Sequence, residues 1–144
     1  MKAGPLTKKE FDYIYGKVPR LCADLVIKSE EGILLTKRDI TPWKGFWHFP
    51  GGTIRYGESL DKAAYRIGME EVGLKIRINK ILGVIQFFKS DLGKSHAVSI
   101  ACLCSVDGGK LRGSWQAKEV GFFKSVPGKT IPEHKKFINE NKIL

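Results

Sequence analysis

The sequence predicts one mixed domain of the α/β (α+β) class that spans residues 1–144. A chain of 144 residues with 42% hydrophobic content can bury roughly two-thirds of its unfolded surface in one core. Several short segments alternate apolar and polar residues or run continuously apolar, which is typical of strands. Between them lies one longer segment whose apolar residues recur at helical spacing. We find no linker, internal repeat or low-complexity segment, so a single domain is expected.

The first part of the chain predicts a helix followed by two strands. Leu6 to Tyr15 is predicted as a short helix. Arg20 to Lys28 and Gly32 to Arg38 have the apolar patterns of strands, joined by a polar turn at residues 29–32. Thr41 to Gly45 is then predicted as a loop.

The central helix is predicted from Ser59 to Val72. The Ser59 hydroxyl can accept a hydrogen bond from the first free backbone amides, and Asp61 places negative charge near the positive end of the helix dipole. Gly73 suits the left-handed position that commonly follows a last helical turn. The apolar face consists of Leu60, Ala63, Ala64, Ile67 and Val72.

The remainder of the chain predicts three strands and a final helix. Ile76 to Phe88 and His96 to Val106 have the patterns of long strands, joined by a polar turn at Ser90 to Lys94. Val120 to Phe123 predicts a further strand, and Pro132 to Asn141 predicts the last helix.

Carboxylates are concentrated around the central helix. Arg66 and Glu70 are four positions apart, so they lie on one helix face, where the guanidinium can orient the carboxylate. Glu71 follows about 100° further round, and Glu58 precedes the helix. These charges repel one another unless a cation is held between them. Mg²⁺ prefers oxygen ligands and completes its shell with waters and phosphates, so we predict a Mg²⁺ (or Mn²⁺) site for a diphosphate.

A glycine pair lies upstream of this helix. Gly51 and Gly52 have no Cβ, so their backbone amides can approach a phosphate closely. His48 precedes the pair in FWHFPGG and is therefore a candidate substrate contact.

The segment GGTIRYGESLDKAAYRIGMEEVGL resembles the Nudix box, whose pattern is G-x5-E-x7-R-E-U-x-E-E-x-G-U with U an apolar residue. The positions in register are Gly52, Glu58, Arg66, Glu70, Glu71, Gly73 and Leu74. Ile67 replaces the first Glu of R-E-U-x-E-E, and Gly68 replaces the apolar residue after it. The resemblance implies the Nudix fold, a mixed β-sheet in an α/β/α sandwich. It also implies metal-dependent hydrolysis of a nucleoside diphosphate linked to another moiety.

The chain resembles the GDP-mannose mannosyl hydrolase branch of this superfamily in VPRLCADLVI and GILLTKRDITPWKGFWHFPGG. That branch also has a hydrophobic residue after the Arg of the box. The resemblance implies that Glu71 is a metal ligand and that the Gly51 carbonyl is a second. It further implies that Asp24, Arg38 and Arg66 line the site or the substrate.

The late loop departs from this branch, in which a Gln-His pair supplies a metal ligand and the general base. Alignment places Gln116 at the Gln, which makes it a candidate metal ligand, and Ala117 at the His. Alanine cannot take a proton, so Glu119 is the nearest candidate for the general base. Ile67 favours attack of water at the sugar carbon, whereas Ala117 and Glu119 favour attack at phosphorus, and the sequence leaves both open.

The net charge of +10 is spread along the chain, and we find no RNA-binding motif, so a nucleic-acid partner is not favoured. A positive field would also steer an anionic nucleotide. The apolar runs are shorter than the ~20 residues that cross a bilayer, so no membrane partner is expected. An odd set of three cysteines fits a cytoplasmic protein, and a homodimer is compatible with the sequence.

The most specific prediction is therefore a hydrolase of a nucleotide sugar such as GDP-mannose. Two alternatives stay open. One is hydrolysis of other phosphorylated substrates, including nucleotides and RNA 5′ ends. The other is a nucleotide-binding Nudix module without catalysis.

Overall fold

The computed structural model describes residues 6–88 and 96–144, and the turn predicted at 90–94 lies outside these ranges. Within them the chain forms three helices and seven strands. In chain order they are α1 (Lys8–Tyr15), β1 (Arg20–Ser29), β2 (Gly32–Lys37), β3 (Trp47–His48), β4 (Gly51–Thr53), α2 (Leu60–Val72), β5 (Leu74–Phe87), β6 (Ala97–Gly109), β7 (Glu119–Phe123) and α3 (Pro132–Glu140).

The strands form one mixed sheet, as predicted. β1 lies at its centre, where it is parallel to β6 on one side. On its other side β1 pairs antiparallel with β4, and its last residues pair with β2. β5 is antiparallel to β6, while β3 and β7 are both antiparallel to β2. The order across the sheet is β3-β2-β1-β6-β5.

Helices cover both faces of the sheet, so the predicted α/β/α arrangement is confirmed. Successive side chains of a strand point to opposite faces. Ala23, Leu25 and Ile27 of β1 pack with α2, whereas Val26 packs in a second cluster with Phe137 of α3.

The central helix follows its sequence signals closely. Ser59 is the N-cap, and its hydroxyl accepts a hydrogen bond from the Lys62 amide at 3.2 Å. Gly73 ends the helix with a φ of 72°, in the left-handed region that glycine tolerates best. A Cβ at Gly73 would also overlap with the Lys110 carbonyl, so this glycine lets the helix end pack against the chain that follows β6.

The two departures from the Nudix box both serve the packing of α2. Ile67 is fully buried in the core cluster on the α2 side of the sheet. A Cβ at Gly68 would overlap with the side chain of Ile76 and lie too close to the Leu74 carbonyl, both in β5. Gly68 therefore allows the helix and this strand to approach closely.

Several predicted boundaries differ from the observed ones. β3 and β4 are not predicted as strands, because strands of two and three residues carry no local pattern of their own. They exist because β3 pairs with β2 and β4 pairs with β1. β6 extends beyond the predicted Val106, since Gly108 and Gly109 continue the pairing with the start of β5. No helix among the described residues is long and apolar enough to cross a membrane.

Candidate active site

Arg66, in the middle of α2, holds the acidic group together. Its Nε and Nη2 donate to the two carboxylate oxygens of Glu58 at 2.7 and 2.9 Å. Its Nη1 donates to Glu70 at 3.2 Å, and Nη2 also reaches the Thr53 carbonyl at 2.8 Å. The sequence predicted the contact with Glu70, but the closer contact is the bidentate one with Glu58. That contact lowers the pKa of Glu58 and raises the pKa of Arg66.

Glu58 connects the segment after β4 to α2 through hydrogen bonds. In addition to Arg66, its carboxylate accepts a hydrogen bond from the Arg55 amide at 3.0 Å. The Arg55 guanidinium lies 3.7 Å from the second oxygen of Glu70. Both oxygens of Glu58 thus have partners within the protein, and Glu58 fixes Arg66 and the Arg55 amide relative to each other.

Glu71 is the buried carboxylate of the group, only 8% exposed. Burial raises the pKa of Glu71, the hydrogen bond from Ser114 opposes that shift, and the neighbouring charge of Glu70 adds to it. The Ser114 hydroxyl donates to Glu71 Oε2 at 3.2 Å. Because the anion is poorly solvated and repelled by Glu70, a cation bound here would be strongly favoured.

The loop that carries Ser114 is attached to the end of α2. The Arg112 guanidinium donates to the carbonyls of Met69 at 2.8 Å and Glu70 at 3.3 Å. The Arg112 amide donates to the Val72 carbonyl at 3.0 Å. These bonds satisfy carbonyls that a helix leaves unpaired in its last turn, and they fix Ser114 beside Glu71.

The register of β4 determines where the Gly51 carbonyl points. The Leu25 amide donates to the Pro50 carbonyl at 2.8 Å, and the Ile54 amide donates to the Leu21 carbonyl at 3.0 Å. In an antiparallel ladder, hydrogen-bonded and non-hydrogen-bonded pairs alternate. Gly51 therefore belongs to a non-hydrogen-bonded pair, and its carbonyl and amide point away from β1.

The same edge of β4 faces the acidic end of α2. Thr53 lies two residues after Gly51, so its carbonyl points in the same direction. That carbonyl accepts from Arg66. The Gly51 carbonyl consequently lies on the side of β4 where Arg66 holds Glu70.

These oxygens are the ones that the sequence predicts to hold a divalent cation together with a diphosphate. In residues 6–88 and 96–144 no group of three or more His, Cys, Asp or Glu side chains could hold a metal ion. The predicted protein ligands are Gln116, the carboxylates of Glu70 and Glu71 and the carbonyl of Gly51, and their role as ligands stays a prediction. A small set of oxygen ligands matches Mg²⁺ or Mn²⁺, which take the rest of their shell from waters and phosphates.

Comparison with known proteins decides the family. Residues 18–140 match the sequence profile of the NUDIX domain. The chain belongs to the Nudix family. It is a Nudix hydrolase, an enzyme class that acts on nucleoside diphosphate derivatives and generally uses divalent metals. The family resemblance of the sequence is thereby confirmed.

Two relatives are each about one-third identical to this chain over the aligned residues. An ADP-ribose pyrophosphatase from Methanocaldococcus jannaschii is 35% identical over 124 residues, which are 85% of this chain and 72% of the relative. The low-salt glycan biosynthesis protein Agl8 from Haloferax volcanii is 33% identical over 120 residues, 80% of this chain and 77% of that protein.

Solved structures agree on the fold. The crystal structure of a MutT NUDIX hydrolase from Burkholderia pseudomallei matches with a TM-score of 0.74 at 25% identity, over 85% of this chain and 98% of that one. A UDP-X diphosphatase structure matches with a TM-score of 0.73 at 18% identity, over 95% of this chain and 70% of that one. The second match shows the fold alone.

His48, predicted as a substrate contact, is half-buried in β3, just before the glycine pair. Its Nδ1 donates to the Phe49 carbonyl at 2.6 Å, so its Nε2 accepts from the Thr36 hydroxyl at 3.1 Å. Burial lowers the pKa of His48 to about 3, aided by His134 and Arg38, and the ring is neutral. The substrate contact of His48 stays a prediction, and both ring nitrogens have internal partners.

Three other predicted substrate residues lie on different elements of the fold. Arg38 donates from Nε to the Pro42 carbonyl at 2.6 Å. Burial lowers the pKa of Arg38, and the charge of Glu71 opposes that shift. Gly52 pairs with its β1 partner in the hydrogen-bonded register, so its amide is engaged in the sheet. Asp24 is buried on the face of β1 opposite to α2, where it meets α3.

The two aligned positions, Gln116 and Ala117, and the candidate base Glu119 differ in their surroundings. The backbone carbonyl of Gln116 accepts from the Asp39 amide at 2.7 Å. Ala117 is fully buried, whereas the Glu119 side chain is 64% exposed and lies 3.8 Å from Lys37 Nζ. The roles of Gln116 as a metal ligand and Glu119 as the general base stay predictions.

Sequence reasoning missed Ser114, Arg55 and His134. Ser114 and Arg55 contact the acidic group only because loops return to α2. His134 lies on the last helix and gave no local signal beyond its residue type. For Ser114 the only available clue was its position in the loop aligned with the late loop of the mannosyl hydrolases.

Proposed function

We propose that this Nudix hydrolase cleaves a nucleotide sugar, a nucleoside diphosphate joined to a sugar, with Mg²⁺ or Mn²⁺. The observation that carries this proposal is the pairing of Glu70 and Glu71 on α2 with the outward Gly51 carbonyl of β4. The names of the two relatives support this substrate class. ADP-ribose is itself a nucleoside diphosphate joined to a sugar, and glycan biosynthesis uses sugar donors.

The protein residues have separate roles in this proposal. Arg66 holds Glu70, and Ser114 holds Glu71, so that both carboxylates are oriented before the substrate arrives. Arg38 lies close enough to Glu71 for their charges to interact and would offset negative charge that develops on the diphosphate. When bound, the divalent cation would neutralise the diphosphate and lower the pKa of a coordinated water.

Attack of water at phosphorus is the first candidate reaction. It would release a nucleoside monophosphate and a sugar phosphate. The buried methyl group of Ala117 supports this choice, because it occupies the position where the mannosyl hydrolases have their histidine base. Glu119 is the proposed general base.

Attack at the anomeric carbon is the second candidate, with GDP-mannose as its model substrate. It would release a nucleoside diphosphate and a free sugar. Ile67 supports this choice because it lies one turn before Glu71 on the same side of α2 and supplies no carboxylate there.

The test is hydrolysis in H₂¹⁸O of ADP-ribose, GDP-mannose and UDP-glucose, with Mg²⁺ or Mn²⁺, by the wild type and Glu71→Gln. Products are separated by anion exchange and weighed by mass spectrometry. Glu140→Gln, an exposed glutamate of α3, is the matched control and should behave as the wild type.

We expect metal-dependent turnover that is lost in Glu71→Gln. Label in the nucleoside monophosphate or the sugar phosphate means attack at phosphorus, and label in a free sugar means attack at carbon. Turnover of 5′-phosphorylated or capped RNA, with none of the nucleotide sugars, would reject the proposal.

A further inference from the structure

The segment that carries the Gly51 carbonyl is attached to α3 through the backbone of Phe49. The Phe49 side chain is fully buried. Its amide donates to His134 Nδ1 at 3.1 Å, and its carbonyl accepts from His48 Nδ1 at 2.6 Å. Both backbone groups of Phe49 are therefore held by imidazole rings.

The bond from Phe49 determines the tautomer of His134. Because Nδ1 accepts, the neutral ring carries its proton on Nε2. That atom lies 3.3 Å from Asp24 Oδ2. This is the approach of a charged or polar pair without hydrogen-bond geometry, and neither atom makes a hydrogen bond in the described part of the chain. His134 is 3% exposed and Asp24 is 7% exposed, so both groups are buried beside each other.

The second oxygen of Asp24 packs directly on Gly51. A Cβ at Gly51 would overlap with Asp24 Oδ1. The Asp24 carboxylate thus lies between His134 and Gly51. Through this carboxylate and through the Phe49 amide, His134 contacts both ends of the segment 49–51.

The start of α3 is fixed to the same segment. The Ile131 amide donates to the Trp47 carbonyl at 2.9 Å, and the Trp47 amide donates to the Lys129 carbonyl at 2.7 Å. His134 follows in the first turn of the helix. The start of α3, with His134 in its first turn, is therefore fixed to Trp47, next to the 49–51 segment.

We infer that His134 is a positioning residue that sets the direction of the Gly51 carbonyl toward the bound cation. This inference rests on the proposed function, in which that carbonyl is a metal ligand. Mg²⁺ demands nearly ideal octahedral geometry, so a small rotation of the peptide weakens binding. Loss of a partner that orients a metal ligand typically costs about 10- to 100-fold in metal affinity.

Two variants separate the two contacts of His134. In His134→Asn the amide oxygen can still accept from the Phe49 amide, but the contact with Asp24 is lost. In His134→Gln the amide nitrogen can still reach Asp24, but the acceptor for Phe49 is lost. His96→Asn, at an exposed histidine stacked on Phe88, is the matched control.

The measurement is the dissociation constant for Mn²⁺, from the electron paramagnetic resonance signal of free Mn²⁺, together with thermal unfolding. We expect each His134 variant to be folded and to bind Mn²⁺ about tenfold more weakly. At saturating Mn²⁺ its kcat should return to within about twofold of the wild type. His96→Asn should bind as the wild type does.

The wild type and Glu71→Gln distinguish the possible failures. If Glu71→Gln binds Mn²⁺ as tightly as the wild type, the metal site of the proposed function is wrong. If Glu71→Gln loses Mn²⁺ while both His134 variants keep wild-type affinity and only unfold at lower temperature, the role of His134 is structural and the inference is overturned. Should neither His134 variant fold, Asp24→Leu, which has no acceptor for His134, tests the same link, and unchanged Mn²⁺ affinity in it overturns the inference.

Discussion

The Glu71 carboxylate favours metal binding but lowers the stability of the metal-free protein. Burial raises its pKa above the value in the unfolded chain, so the folded protein binds its proton more tightly. Such a group costs no stability at low pH, but stability falls as the pH rises from the unfolded pKa through the folded one. The metal-free protein therefore keeps this carboxylate at the expense of stability, which is typical of functional sites.

Glu71→Gln should change stability and hydrolysis in opposite directions. Glutamine cannot ionise, so without metal the variant should unfold at a higher temperature than the wild type at neutral pH, and the difference should shrink toward acid. Its hydrolysis should fall about 100-fold or more, because metal assistance contributes several kcal/mol to such reactions. Differential scanning calorimetry between pH 4 and 8, with and without Mg²⁺, checks both effects. A variant less stable than the wild type throughout this range contradicts the argument.

Glu58 shows the opposite behaviour. The bidentate contact with Arg66 lowers its pKa, so its stabilising effect is present above the unfolded pKa and is lost as the pH falls through the folded one. Its role is to fix Arg66 against β4. The sequence placed Glu58 in the acidic group, but only the structure shows that Arg66 and the Arg55 amide occupy both of its oxygens.

Glu58→Gln should therefore lower the free energy of unfolding by about 1.5 to 3 kcal/mol at pH 7, the range for hydrogen bonds to charged groups. The loss should diminish in acid, where the wild-type carboxylate is itself protonated. Urea denaturation at pH 7 and at pH 3 measures it, with Glu140→Gln as the exposed control. An equal loss at both pH values would mean that packing, not charge, explains the effect.

The elements with a local sequence pattern were predicted, whereas the two short strands without one were not. The start and end of α2 followed from Ser59 and Gly73, whose capping geometry depends on neighbouring residues. β3 and β4 have no such signal, because their hydrogen bonds come from β2 and β1. The sequence therefore predicted α2 and its carboxylates, whereas β4, which fixes the direction of the Gly51 carbonyl, forms only through its pairing with β1.

A substitution at Gly68 tests how closely α2 packs on β5. In an exposed helix, Gly→Ala stabilises by roughly 1 kcal/mol. Here the new Cβ would overlap with Ile76, so Gly68→Ala should instead destabilise by about 1–3 kcal/mol, the usual cost of overpacking. It should also weaken Mn²⁺ binding, because the helix that carries Glu70 and Glu71 must shift.

Gly121→Ala provides the control for that change, since a Cβ at Gly121 meets the Phe123 ring only at ordinary contact distance. Chemical denaturation of both variants gives the comparison. A stabilised Gly68→Ala with unchanged Mn²⁺ affinity would show that α2 and β5 separate easily and that the exact helix position matters little.

For the whole molecule, the site is assembled from parts that lie far apart in the chain. α2 carries the carboxylates, β4 the Gly51 carbonyl, and the loop before β7 carries Ser114. The motif predicted the family and the carboxylates, since these have fixed spacing. Ser114 and His134 could not be predicted, because their roles arise from tertiary contacts.

The net charge of +10 makes a prediction about the whole molecule. A positive field attracts an anionic nucleotide sugar toward the protein. Salt weakens this attraction, because the Debye length is about 10 Å at 0.1 M. Raising KCl from about 20 to about 300 mM, at constant Mg²⁺, should lower kcat/KM by roughly three- to tenfold and leave kcat unchanged. Steady-state kinetics with the best nucleotide sugar measures this.

The size of the salt effect also separates small substrates from RNA. A nucleotide sugar offers two phosphates, whereas binding of a single strand loses affinity with a slope of about −0.7 per contacted phosphate on logarithmic axes. A slope well beyond that expected for two phosphates would favour RNA ends, and no salt dependence would mean that the positive charge lies away from the site. Since the lysines and arginines are spread along the chain, we expect the shallow slope of a small anion.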